Sequence, residues 1–485
     1  MRSAAFCGWP LAVVLAVRTR EYPLDRVRLP DGTHPARLTR SWRAHLFAAA
    51  LLLGVALAGC TGGSPGSAAP TSHATATPAS VSLGCLEPPA TCYAPRVVQV
   101  AYGIEPLLAK GIDGSGETVT VLVTAPPPGA GPPPSTPIVN PTGPLPVFAN
   151  DLRTDVAAFD REFALPAPRI QIVTSLAGAA SPWLATPQEI TDVEVVHAIA
   201  PAAAIRVVLS SSSAQDSAAD AAADLLAGLR LAVSGTDVTL IDPSLGEHFF
   251  TKAQAAQLNS VLLGAEAHHV TVVAGSGDNG GFSGTPYGGT AVKEVSLPAS
   301  DPLVLSVGGT ELTVTPAGGY VSETVWNGQG GFSETMGASG GGFSHLYTRP
   351  SYQAGVHGIS GMRGVPDVAG DADQQGGIAT ATDFSGRTTI AGTQGTAAAA
   401  SLWAGLVALA DQYAHHDLGF VNPAIYRIAR GSSYHLAFHD VTTGNNIQTV
   451  PYPGGTAGYQ AGPGWSAATG WGSPDAQVLI PLLAT

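Results

Sequence analysis

Lysine is almost missing from this 485-residue sequence, which holds only Lys110, Lys252 and Lys293, and no basic run occurs after the first 45 positions. A nucleic-acid partner requires clustered positive charge to displace counterions from phosphates. With a formal net charge of −13, the composition argues against that class of partner. Cysteine is also scarce, with four in the whole chain, and no Cys/His group has the spacing of a zinc site. No internal repeat of solenoid period is present. What is abundant is apolar and turn-forming: 45% hydrophobic residues can furnish a large core, while 59 glycines and 39 prolines predict tight turns and long connections. The length exceeds one average domain of roughly 100–200 residues, so several domains or one large α/β unit is expected.

The N-terminal segment bears on compartment. Arg40 and Arg43 precede an apolar run from Leu46 to Ala58, too short to span a bilayer comfortably and suited to the apolar region of a signal peptide. The run ends in Leu57-Ala58-Gly59-Cys60, which resembles the bacterial lipobox, whose cysteine sulfur takes a diacylglyceryl group before cleavage. An ordinary signal peptide with a chance cysteine is the alternative. The expected organisation is an upstream extension 1–36, read as a start assigned too early, then a lipoprotein signal peptide 37–60. A Ser/Pro/Ala-rich tether 61–84 leads to one folded domain 85–485. Such a protein is extracytoplasmic and anchored through Cys60 to the outer face of a bacterial cell membrane. An exported compartment permits Cys85 and Cys92 to pair, two free thiols being the alternative.

From Tyr93 onward, short apolar strands alternate with helical stretches. Strands are predicted at Thr118–Thr124, Ile170–Thr174, Ile205–Leu209, Val238–Ile241, Val270–Ala274 and Leu303–Val307. Helices are predicted at Asp151–Phe163, Gln188–Ile199, Ser217–Ser234, Lys252–His268 and Thr396–His415. That order predicts an α/β fold, a doubly wound, mostly parallel sheet with helices on both faces. The Pro/Gly-rich Pro126–Pro146 reads as an inserted surface loop.

Three segments carry candidate chemistry. Gly395-Thr396-Ala397-Ala398-Ala399-Ala400-Ser401 is a tight turn entering a helix whose first turn is all small, so its N-terminus stays open. Serine hydrolases hold a serine at such a start, where the helix dipole and N–H groups favour a developing oxyanion. Here the position is alanine. In the helix from Pro187, Gln188 and Asp192 stand at i and i+4 on one face, and Glu189 points roughly 100° away. Asp278, in Ser276-Gly277-Asp278-Asn279-Gly280, follows the strand Val270–Ala274, at a strand's carboxyl end, where open α/β sheets place their sites.

Together these segments resemble the sedolisins, the serine-carboxyl peptidases, over roughly Tyr93 to Leu483. Further matches are Ala101-Tyr102-Gly103, Val307-Gly308-Gly309-Thr310, Glu323-Thr324-Val325-Trp326-Asn327, Gly340–Ser344, Arg363-Gly364-Val365-Pro366-Asp367-Val368-Ala369 and Ala461-Gly462-Pro463-Gly464-Trp465. The resemblance implies a subtilisin-like fold. It also implies acid chemistry, in which a glutamate takes the serine proton, an aspartate one helical turn later orients that glutamate, and a second aspartate helps bind the oxyanion. Carried onto this chain, the orienting aspartate is Asp192 and the oxyanion aspartate Asp278. The general-base position is Gln188, which cannot accept a proton, and the nucleophile position is Ala397. A supporting acid at the end of the first strand becomes Val123. Counting forward from Thr388-Thr389-Ile390 instead puts Gly395 at the nucleophile position, so neither register supplies serine. Ser401 lies one turn further, roughly 6 Å along the axis, and Thr396 is expected to face away from the base. Glu189 could serve as base only if its helix rotated.

The histidines form no replacement triad. His197 is expected to be a packed or hydrogen-bonded helix residue, and His268, His269, His415 and His416 close helices. The resemblance also implies a C-terminal calcium loop, with Asp440 and the carbonyls of Val441, Gly462 and Gly464 as ligands. Ser466 replaces its second carboxylate, and calcium prefers six or more oxygens with substantial negative charge. The alternative is a loop held by its own hydrogen bonds. The family's long N-terminal pro-domain has no counterpart in the roughly 33 residues between Cys60 and Tyr93, as expected where no zymogen brake is needed. The expected function is a surface lipoprotein, without peptidase activity, whose cleft binds an extended peptide or protein ligand. An active acid endopeptidase with a displaced nucleophile, and a structural or adhesive surface protein, are the alternatives.

Overall fold

The run Thr118–Ala125 alternates residues that enter two different cores. Val119, Val121 and Val123 pack into one cluster, and Leu122 into the other, as the two-residue period of a strand requires when both faces are covered. The computed structural model describes residues 92–125, 152–174, 187–211, 218–242, 244–283, 292–328, 337–373, 376–384, 387–450 and 455–485. All belong to the compact unit Ala76–Thr485. The extension, signal peptide and tether, with Cys60 and Cys85, lie outside the described residues, as does the Pro126–Pro146 insertion. Cys92 is disulfide-bonded.

Eight strands form the central sheet: β1 Thr118–Ala125, β2 Arg169–Thr174, β3 Ala204–Ser211, β4 Val238–Ile241, β5 Thr271–Gly275, β6 Leu305–Val314, β7 Tyr320–Val325 and β8 Val368–Asp371. Their order is β8-β6-β5-β4-β1-β3-β2, with every pair on this path parallel, and β7 pairs antiparallel with β6. The chain therefore winds outward from β1 in both directions, the doubly wound α/β arrangement expected from the sequence. One face carries α2 (Pro187–Ile199) and α5 (Thr396–Ala414), and the other α3 (Ala218–Ala232) and α4 (Lys252–Ala267). Helix α1 (Leu152–Phe163) packs against α2 and the hairpin Ala379–Phe384 with Arg387–Gly392. Among the described residues, no helix is long and apolar enough to cross a membrane.

Small residues let α5 lie deep. Ala398, Ala399, Ala400 and Ala404 are fully buried. At Gly405 a Cβ would come 2.7 Å from the Ile199 Cβ, so α2 and α5 approach too closely there for any larger residue. With 19 residues, α5 spans about 28 Å at 1.5 Å per residue. It starts near the carboxyl ends of the strands and finishes near their amino ends.

Carboxyl groups are buried at the margins of this frame. Glu194 on α2 accepts the Ala381 N–H at 2.7 Å. Burial raises its pKa well above the usual range, and Asp155 and Asp160 push it the same way. Asp371, closing β8, is also raised well above that range, by burial first and then by Glu323 and Asp373. Burial raises Glu323 as well, against hydroxyl donors from Ser473, Tyr102, Thr310 and Tyr320. Above the ordinary carboxylate pKa of about 4, the folded chain thus holds protons that the unfolded chain has released. Stability should fall as pH climbs from about 4 through the raised native values. His439, pushed down to about 4 by burial, acts the other way, its contribution being lost as pH falls below about 6.5. Three carboxyls outweigh one imidazole. Urea midpoints should therefore be higher at pH 5 than at pH 8, and Glu194→Gln should flatten the slope; a midpoint rising toward pH 8 would contradict this.

Candidate functional site

The start of α5, the loop after β5 and the body of α2 meet at the carboxyl edge of the sheet. Gly395 precedes the helix at φ 98°, a region costly for residues with a Cβ. A Cβ there would stand 2.7 Å from Asp278 Oδ2. Glycine is thus required both by the turn and by the aspartate behind it.

Asp278 Oδ1 accepts two hydrogen bonds from Thr396, from its backbone N–H and from its Oγ1–H, each at 2.8 Å. Thr396 Oγ1 in turn accepts the Gly277 N–H at 3.0 Å. The threonine hydroxyl is thereby held at both its proton and a lone pair. Asp278 is open to solvent on one side, while the protein packed around the rest of it raises its pKa, the two Thr396 bonds opposing the shift.

Ser401 Oγ lies 2.9 Å from both Asp192 Oδ1 and the Ala397 carbonyl oxygen, two acceptors for one proton. Both Ser401 and Asp192 are fully buried. Ala397, half-buried, sits one turn before Ser401 on the same face of α5. The pairing of position 401 with 192, and of Gly405 with Ile199 and the Val196 carbonyl, advances both helices in the same direction. One turn back, position 397 is therefore opposite position 188. The side chains of Gln188 and Glu189 lie outside the described residues. Val123 is fully buried in β1, paired with Leu209 of β3.

The structure thus brings Asp278, Thr396, Ala397, Ser401 and Asp192 into one continuous set. Sequence reasoning did not give Thr396 and Ser401 their carboxylate partners. For Ser401 a signal existed, since it stands four residues after Ala397 and shares its face. For Thr396 there was none, because its partner is supplied by a loop far away in the chain. His197 is fully buried with Nε2 3.0 Å from Asp160 Oδ1, away from this set. His268 and His415 stand just after the ends of α4 and α5.

The C-terminal loop is a poor match for calcium. Both Asp440 oxygens face the Gly464 N–H at 3.1 Å, and the nearby Tyr434 hydroxyl donates to the Trp471 carbonyl at 3.0 Å. Ser466 Oγ is 3.0 Å from Thr469 Oγ1 and accepts the Ala468 and Thr469 N–H groups. One carboxylate aimed at an amide proton, with Val441, Gly462 and Gly464 around it, does not supply the charge or oxygen number that calcium takes. No chemistry is assigned to a metal there.

No protein-family model matches the chain. Among curated proteins it is 33% identical to kumamolisin of Bacillus sp. (strain MN-32) over 406 residues, covering 81% of this chain and 64% of that protein. It is 38% identical to sedolisin of Pseudomonas sp. (strain 101) over 215 residues, 44% of this chain and 34% of sedolisin. The chain therefore spans less than two thirds of the length of these relatives. Among solved structures it resembles Pseudomonas sedolisin, a serine-carboxyl proteinase complexed with two molecules of pseudo-iodotyrostatin. That match has TM-score 0.64 and 26% identity, over 81% of this chain and 98% of that one.

Proposed function

The chain belongs to the sedolisin family, and from that premise we propose that it binds extended peptide or protein segments in the inherited cleft without hydrolysing them. One observation carries this reading. The helix start that a peptidase of this family needs for its nucleophile is occupied by Ala397, and the hydroxyl of the adjacent Thr396 is bonded at both ends to Asp278 and Gly277. Gln188, at the corresponding position of α2, is a residue type that offers no basic oxygen at acidic or neutral pH. Val123 removes the supporting acid as well. A protein still selected for hydrolysis would not be expected to lose three linked groups, since loss of one nucleophile costs about a millionfold in a comparable serine protease.

Asp192 and Asp278 remain and keep the shape of the cleft. Backbone bonds hold the segment carrying Asp278 in place: Gly340 N–H donates to the Gly277 carbonyl at 2.6 Å and Ala338 N–H to the Asp278 carbonyl at 2.9 Å. In this reading an extended ligand lies beside that segment and is recognised by strand addition. In this reading Cys60 carries the lipid that holds the domain outside the cell.

The second reading, an acid peptidase with a displaced nucleophile, rests on the 2.8 Å contact between the Thr396 hydroxyl and Asp278. Against it stands the Gly277 N–H, which holds the lone pair that would attack. Fluorescence anisotropy with a labelled extended peptide should give saturable binding that unlabelled peptide competes away, and Ala397→Phe should weaken it at least about tenfold, a loss near 1.4 kcal/mol. Absence of binding, or binding unaffected by Ala397→Phe, would contradict the proposal.

A further inference from the structure

Across the molecule from the cleft, at the amino ends of the strands, Glu117, Asp237 and Asp417 bring carboxylate oxygens within 4.8 Å of one another. Glu117 immediately precedes β1, Asp237 immediately precedes β4, and Asp417 lies in the loop after α5. All three are half-buried. We propose that these three side chains bind a calcium-like divalent cation that ties the α5 exit loop to the starts of two central strands.

A second observation points to the same ion. Asp411, in the last turn of α5, is fully buried, and its Oδ2 has no hydrogen-bond partner. Its Oδ1 accepts the Leu418 N–H at 2.8 Å, one residue from Asp417. Its charged neighbours are Glu117, Asp417 and Asp237, so a fourth carboxylate backs the group. None of the four enters an ion pair among the described residues. The carbonyl end of α5 adds negative potential at the same place. Four carboxyl groups crowded together without a basic partner repel one another, and a divalent cation relieves that repulsion.

The surroundings are built rather than incidental. Gln412 Oε1 accepts the N–H groups of Asp113 and Gly114, both at 2.7 Å, and Gln412 Nε2 donates to the Gly111 carbonyl at 2.9 Å, docking the segment before Glu117 onto α5. Asp237 Oδ2 accepts the Thr118 N–H at 2.6 Å, and its other oxygen makes no hydrogen bond among the described residues. Oxygen-only ligands select a hard cation. Carboxylates that can bind through one or both oxygens, with room for carbonyls and water, suit calcium's six to eight ligands better than magnesium's strict octahedron. Among the described residues, three carboxylates backed by Asp411 gather at this pole, while Asp440 is the carboxylate of the C-terminal loop.

The test uses the full chain stripped with chelator and titrated with calcium chloride alone, followed by thermal unfolding and calorimetry. Calcium at about a hundredfold over its dissociation constant should raise Tm by several degrees, with chelator reversing the rise. Magnesium should bind at least tenfold more weakly. The shift should vanish in Asp417→Asn and in Glu117→Gln and persist in Asp440→Asn. Two independent ligand variants keep the result readable if one folds poorly. No calcium shift in the native chain, a shift that survives both ligand variants, or one lost in Asp440→Asn would overturn the proposal.

Discussion

Ala397→Ser combined with Gln188→Glu is expected to turn the chain into an acid peptidase, with turnover at least about a thousandfold above the native protein at roughly pH 3 to 5. The geometry explains why both substitutions are needed. Ser401 Oγ meets Asp192 Oδ1 at 2.9 Å, and Gly405 packs on Ile199, so the two helices step forward together and position 397 faces position 188 one turn earlier. A serine placed there stands at the start of α5, where N–H groups favour an oxyanion, with Asp278 alongside. Without the glutamate nothing removes its proton. Without the serine nothing attacks. Each single variant should stay within about tenfold of the blank, because groups that act as one unit are strongly non-additive. Val123 keeps the repaired site below full activity, and Val123→Glu or Asp added to the pair should raise it further. Turnover should fall toward neutral pH, where the shared carboxyl proton is lost. Fluorogenic peptides assayed across this pH range measure all of it.

The largest expected loss of stability follows from breaking the ion pair of Arg363 and Asp367. Both are fully buried, and the guanidinium meets the carboxylate through two bonds of 2.7 and 2.6 Å. Asp367 also accepts the Ser306 N–H at 2.9 Å and the Tyr426 hydroxyl at 2.8 Å, so β6, β8 and the helix Asn422–Ala429 converge on one carboxylate. Asp367→Ala leaves an uncompensated guanidinium in the core and should cost about 3–5 kcal/mol in urea denaturation. Replacing both, as Arg363→Met with Asp367→Leu, should cost clearly less, since the penalty comes from the orphaned charge rather than from lost attraction. Equal losses in the single and double variants would contradict that account.

Much of the frame was legible in the sequence because its elements are long and their patterns clear. The predicted helix Thr396–His415 and strand Val238–Ile241 match the structure to within a residue. The predicted strand Leu303–Val307 runs instead as Leu305–Val314. Gly308 and Gly309 break the apolar pattern, yet the strand continues through them because Pro366 and Trp326 press against it too closely for a side chain. Strand β8 was not predicted: Val368–Asp371 is four residues long and follows Pro366, too short to show a period. The hairpin Ala379–Phe384 with Arg387–Gly392 is rich in Thr, Ala and Gly and gave no apolar signal.

At the site, residue types were readable but partners were not. Alanine at 397 and glutamine at 188 are facts of sequence. That Thr396 binds Asp278, that Ser401 binds Asp192, and that Glu117, Asp237 and Asp417 gather at the far pole depend on which strand ends the winding of the sheet brings together. No local pattern encodes that.

The most direct test incubates the native chain with an unfolded protein overnight at acidic and at neutral pH and counts fragments by mass spectrometry. The account predicts none above the blank, for the native protein and for Thr396→Ala alike. Fragments made by the native chain and lost in Thr396→Ala or Asp278→Ala would contradict it.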